Sequence, residues 1–419
     1  MATALAAFAA AIILVTNGMA QAQAASGYET EPVLKAEDLA GPELLKGPHF
    51  TVDPKVPIRG FIARFTMRST FGTFEVDGLR MLPIRANEVE ALAKLDEVSR
   101  TREFSAAMGR AAARPFTSAA NMISRPVETV RGIPGGAARL FGRARLAGER
   151  IHQAATATDQ GGVERTAEAS RRVGEATVTM LGFEQERRRL AKSLGVDPYT
   201  TNPVLSEKLT DVAWVAFSGR AVISAFSAIL VPYSMAMTGV SVTNNAVYDT
   251  PAGQLINNAA AIFGETGASQ AEVQALMENP QYSLSVLTAL ATGIQRLQGV
   301  AERESLVIFA ATAQAEDEAN FIAGAVNMLA RYHEAVAPIA RTSAPGPLLG
   351  HTAAGTLVLP APVDHVSWIK RLGRDVARPE FQAPDKVAFL SGQMSPLAHK
   401  KLTARGWRID ELYSIAAER

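Results

Sequence analysis

Cysteine is missing from all 419 residues of the chain. Its absence removes disulfides, thiolate nucleophiles, Cys-ligated zinc and iron–sulfur clusters together. A dominant charge is missing as well: Lys and Arg number 42, Asp and Glu 41, and the formal net charge is +1. No global field therefore selects nucleic acid as a partner. The six histidines are scattered, and His-Glu-x-x-His does not occur. The P-loop, the dinucleotide fingerprint and the EF-hand loop are absent too. No metal and no cofactor is expected. Bulk is ordinary, with 47% hydrophobic and 20% charged residues. A chain of that composition folds, and its length allows two or three domains at roughly 150 residues each.

The first 28 residues carry no charged side chain. An apolar run, Ala4–Val15, leads to Ala20-Gln21-Ala22-Gln23-Ala24-Ala25, with an A-x-A pattern near Ala22 or Ala24. This is a secretory signal pattern, although no Lys or Arg precedes the apolar run. The run is shorter than the roughly 20 residues a membrane span needs. Residues 1–24 are expected to be a signal peptide, and the mature chain to be exported to the periplasm or cell envelope.

Residues 25–57 read as an extended lead-in. In 58–98, Phe61, Ala63, Phe65 and Met67 alternate with Arg64, Thr66 and Arg68, which predicts a strand. Asp77-Gly78 between two further runs predicts a hairpin turn, and Asn87 with Glu90 predicts a helix cap. A small hairpin-helix α+β element is expected there. Residues 99–180 form a basic amphipathic segment. Residues 181–340 read as a helical domain, with Gly195 as a helix stop, Asn202-Pro203 as a restart, a capping box at Ser269 and Glu272, and a long helix over 301–336. Pro and Gly crowd 341–355, which reads as a linker. Residues 356–419 read as an α/β module: a strand at Thr356–Leu359, a helix at Pro362–Leu372, a strand at Lys386–Leu390, a helix from Ser395-Pro396 to Gly406, and a strand at Trp407–Ile409. The expected fold is mainly α: a multi-helix body between a small N-terminal α+β element and a small C-terminal α/β module.

The basic segment is the most unusual feature. From Arg110 to Arg150 there are eight arginines, no lysine and only two acids, Glu128 and Glu149. Arg114-Pro115 recurs as Arg125-Pro126, and Met122, Ile123, Val127, Val130, Leu140 and Phe141 are interspersed. Short arginine-rich amphipathic helices suit an anionic surface, where guanidinium groups meet phosphates. Arg114, Arg125, Arg131, Arg139, Arg143 and Arg145 are the residues assigned to such contact. The partner is an anionic membrane surface or an acidic protein. Nucleic acid is not expected, because no aromatic residues are interleaved as stacking platforms. The same arginines also suit the chain's own residues 265–318, where eight acids face only Arg296 and Arg303.

Two rival sites stand beside this one. Ser391-Gly392 follows a strand and shares a module with Asp364 and His365, which makes a Ser–His–Asp arrangement conceivable, though Gly-x-Ser-x-Gly is absent. The uncharged run 221–248 is long enough to span a bilayer, but Pro232 and many hydroxyls interrupt it. The acids Glu316-Asp317-Glu318 read as a solvated helix face, and Trp214, Trp368 and Trp407 as core. The leading expectation is an exported, non-catalytic interaction or scaffold protein at the periplasmic membrane face. The alternatives are a periplasmic hydrolase built on the C-terminal module and a membrane-inserting protein using 212–263.

Overall fold

The computed structural model describes residues 27–101, 104, 182–219 and 246–411. Its N-terminal part is organised by one long strand, β4 (Ile62–Ser69), which buries Ala63, Phe65 and Met67 and turns Arg64, Thr66 and Arg68 outward. One edge of β4 pairs antiparallel with β5 (Gly72–Asp77). The other edge takes β3 (Lys55–Arg59) at its start and β2 (Phe50–Val52) at its end. The first strand, β1 (Val33–Lys35), adds outside β3, and a single turn, α1 (Pro42–Leu45), separates it from β2. Helix α2 (Met81–Ser99) lies on this sheet, so Leu82, Val89, Leu92 and Leu95 share a core with Phe65, Met67, Phe74 and Val76. Helices α3 (182–194) and α4 (Pro203–Gly219) close that core with Leu190, Leu194, Leu205, Leu209 and Val212.

The helical body comprises α5 (Ala252–Gly264), α6 (Gln270–Met277), α7 (Leu284–Arg296), α8 (Glu304–Ala311) and α9 (Glu316–Ala335). A second sheet follows, in the order β12-β10-β8-β7-β6. Here β8 (Leu357–Ala361), β10 (Lys386–Leu390) and β12 (Trp407–Asp410) run parallel, and β7 (Leu349–Thr352) and β6 (Ile339–Ser343) extend the sheet antiparallel. One face of this sheet sends Val358, Val387 and Phe389 into the helical core. The other sends Leu357, Ala388 and Leu390 against Trp368, Phe381, Leu402 and Trp407. A strand covered on both faces has no polar side, which is why β10 continues from the buried Lys386 as the apolar run Val387–Leu390. Two-residue strands β9 (His365–Val366) and β11 (Gln393–Met394) pair in parallel, each leading into a short helix, α10 (Lys370–Asp375) and α11 (Pro396–Thr403).

These sheets correct the expectation of a mainly helical fold. Among the described residues about 50% are helix and 19% strand, in sheets of five, five and two strands, and the fold is mixed α/β. The strands that went unseen are short: β1 and β2 have 3 residues each, and β7 has 4. Too few positions remain for a period of two to register. The stretch read as a linker carries most of β6 and all of β7.

Local signals were also overridden. The hairpin turn falls at Thr70-Phe71, where the Ser69 hydroxyl donates to the Gly72 carbonyl. Gly78, at φ +95°, instead carries the chain out of β5 toward α2. Asn87 lies inside α2, and its amide donates to the Gly195 carbonyl. The helix expected over 301–336 is two helices, with the Asn279 amide donating to the Ala311 and Ala313 carbonyls at the break. The helix expected from Pro362 begins only at Lys370, after β9.

Among the described residues no helix is long and apolar enough to cross a membrane. Most of 221–248 lies outside the described residues. The flanks of 212–263 are packed, with Val212, Ala213 and Val215 in the N-terminal core and Ala259 and Phe263 in the helical core.

Candidate functional site

The three residues read as a Ser–His–Asp candidate lie along one seam, where the C-terminal module meets the N-terminal sheet. The β3–β4 turn places Phe61 at φ +69°, a conformation that costs a bulky residue energy. That geometry aims its carbonyl at the backbone N–H groups of Asp364 (3.0 Å) and His365 (3.1 Å). The Asp364 side chain completes the seam. It accepts from the N–H groups of Ala63 (2.8 Å) and Leu79 (3.2 Å). Burial pushes its carboxyl up to about 6, against the opposing pull of these hydrogen bonds and of Arg80 and Arg64.

Gly392 sits directly against the Asp364 backbone, so Ser391 and Asp364 are neighbours in space. Their side chains are committed elsewhere. The Ser391 hydroxyl donates to the Val363 carbonyl at 2.8 Å, and the Asp364 oxygens serve β4 and the entry to α2. Burial lowers the His365 imidazole below its ordinary value, against the opposing pull of Glu29 and Glu411. The structure thus gathers the three backbones and aims the Ser391 and Asp364 side chains at main-chain groups.

A second polar cluster surrounds the loop between α3 and α4, of which the sequence singles out only the flanks, Gly195 and Asn202-Pro203. Its centre is Glu88 on α2, only 3% exposed. Glu88 pairs with Arg85, accepts the Thr200 hydroxyl, and accepts the Asn202 amide at 3.1 Å. Asn202 in turn caps α4, its side-chain oxygen accepting from the Val204 N–H at 3.2 Å. Asp197 is half-buried beside this group. It accepts the Ser285 hydroxyl at 2.6 Å and the Tyr199 N–H at 2.7 Å, and burial pushes its carboxyl up to about 6.

Glu316 accepts the Thr201 hydroxyl at 2.6 Å and is likewise raised by burial. Asp317 pairs with Arg64 at 2.9 Å. Only Glu318 of the three consecutive acids is exposed, so the solvated-face expectation holds for that residue alone. The signal that was available was Glu88 itself, a charged residue inside the apolar stripe of a helix. Apart from Arg85, one turn earlier on the same helix, its partners lie more than a hundred positions away, out of reach of any local pattern.

Among the described residues no group of three or more His, Asp or Glu side chains is arranged to hold a metal. Trp368 and Trp407 are each 2% exposed, while Trp214 is half-buried between Phe183 and Phe217. Arg114, Arg125, Arg131, Arg139, Arg143 and Arg145 lie outside the described residues. No protein-family model, curated protein or solved structure matches the chain.

Proposed function

We propose that the chain is a non-catalytic interaction protein that works at an anionic surface, with the arginine segment 110–150 as its contact region. The observation that carries this reading is charge segregation: eight arginines against two acids in that segment, inside a chain of net charge +1. Each basic residue near an anionic bilayer contributes about 1 kcal/mol, so the segment's excess is large enough to hold the chain there.

The described polar groups support the reading from the other side. Asp364, Glu88, Asp197 and Glu316 join one element to another, and the Ser391 hydroxyl is bonded to its own module. The arginines also have an internal alternative, since Glu265, Glu278, Glu302 and Glu318 present exposed carboxylates on the helical body. The signal pattern of residues 1–24 makes the envelope the compartment of this proposal, with the periplasmic membrane face as the surface. The test replaces Arg131, Arg139, Arg143 and Arg145 together by Gln. Loss of vesicle or partner association in a chain that melts normally supports the reading. Unchanged association removes it.

A further inference from the structure

The first described residues are bonded to the far end of the chain. The Glu29 N–H donates to the Trp368 carbonyl at 2.8 Å. One Glu29 carboxylate oxygen accepts both the Trp368 N–H and the Ser395 hydroxyl, each at 2.6 Å. The Tyr28 ring stacks on the Trp368 indole, with centroids 6.2 Å apart and planes 14° apart. The Tyr28 ring also lies against Gly373, where a Cβ would meet it at 2.8 Å. The Arg405 guanidinium stands 4.8 Å from the same indole centroid. Two residues on, Glu31 accepts the Phe61 N–H at 2.9 Å.

The notch that takes Glu29 is built twice over. Strands β9 and β11 pair in register, Val366 beside Met394, and each leads through a serine, Ser367 or Ser395, toward a helix. That register brings the Trp368 amide beside the Ser395 hydroxyl. Ser395 caps α11 by accepting from the Ala398 N–H at 3.1 Å, which leaves its own proton to point at the carboxylate. A neutral amide oxygen gains less from this arrangement than a carboxylate does.

We propose that the Trp368–Ser395 notch is a binding site for a peptide in which an aromatic residue is followed directly by an acid, and that Tyr28–Glu29 is the occupant it holds in this structure. The occupant is joined to the rest of the chain through β1, so its effective concentration is on the order of millimolar. A peptide in trans must displace it, and the same segment from a second copy carries the matching residues. This proposal uses no residue of the arginine segment, and neither proposal depends on the other.

The experiment uses the full chain carrying Tyr28→Ala and Glu29→Ala, with a dye-labelled peptide of residues 26–35 as probe. The expected result is binding to this variant and much weaker binding to the unmodified chain, whose own arm competes. The peptide carrying Glu29→Gln should bind at least about tenfold more weakly, through loss of its charge-assisted hydrogen bonds. Adding Ser395→Ala to the chain should weaken the natural peptide in the same way. A folded variant that takes no peptide overturns the proposal, and so does one that takes the Gln peptide equally well. Should the double variant not fold, hydrogen exchange on the unmodified chain decides. Excess peptide should speed exchange at residues 28–31, and unchanged exchange overturns the proposal.

Discussion

Asp364 shows how one side chain can join two parts of a protein. It bridges residues about 300 positions apart by accepting main-chain N–H groups from both β4 and the entry to α2. Its carboxyl titrates near 6 in the fold, against about 4 in an open chain. The folded state therefore binds the proton more tightly than the unfolded state. The stabilisation this gives is complete below about pH 4 and is lost as pH rises through about 6. Asp197 acts in the same direction. The lowered carboxyls of Glu334, paired with Arg296, and of Asp385, held by Thr356 and Arg408, act oppositely, but they are solvent-facing and screened by salt. Urea unfolding at moderate salt should show stability falling between pH 5 and pH 7, by on the order of 1–2 kcal/mol per buried carboxyl. Asp364→Asn should flatten that fall.

Glu88 supports a second prediction. Removing it leaves Arg85 and Asn202 without their acceptor in the interior. Glu88→Ala should lower the unfolding free energy by about 3–5 kcal/mol, and Glu88→Gln by clearly less. Equal losses for the two would mean that the cluster contributes by shape alone.

Elements differ in how far they can be read from sequence. Helices punctuated by their own residues were legible. The Ser269–Glu272 capping box forms as expected, Asn202 caps α4, and Gly195 ends α3 at φ +65°. Strand β10 was legible because a strand with both faces covered carries an apolar run, here Val387–Leu390. Strands β6 and β7 were not, since their proline- and glycine-rich surroundings carry the signature of a linker. What makes them strands is packing. Gly350 in β7 lies so close to α9 that a Cβ there would meet Leu329 at 2.5 Å. Gly350→Val should therefore displace the Leu329 and Ile339 side chains between β7 and α9 and cost about 1–3 kcal/mol, the range for overpacking. Thermal unfolding measures it, and a neutral Gly350→Val would show that β7 is free to shift.

The candidate site was legible only in part, for a related reason. Sequence proximity singled out Asp364, His365 and Ser391, and the structure does gather them. The role Asp364 plays depends on Ala63 and Leu79, which no local pattern ties to it. Glu88, Asp197 and Glu316 come from three separate stretches and meet only through tertiary packing.

At the scale of the whole molecule, a mixed α/β body is tied end to end. Glu29 reaches Trp368 and Ser395, Arg64 reaches Asp317, and Asp364 reaches Ala63. The most direct test of the central claim is vesicle flotation of the chain from Ala25, with anionic and neutral lipids, at low and high salt. The expected result is flotation on anionic vesicles that fades as salt rises, because the attraction is between surface charges. Flotation that ignores both lipid charge and salt, or no flotation on either vesicle, would contradict it.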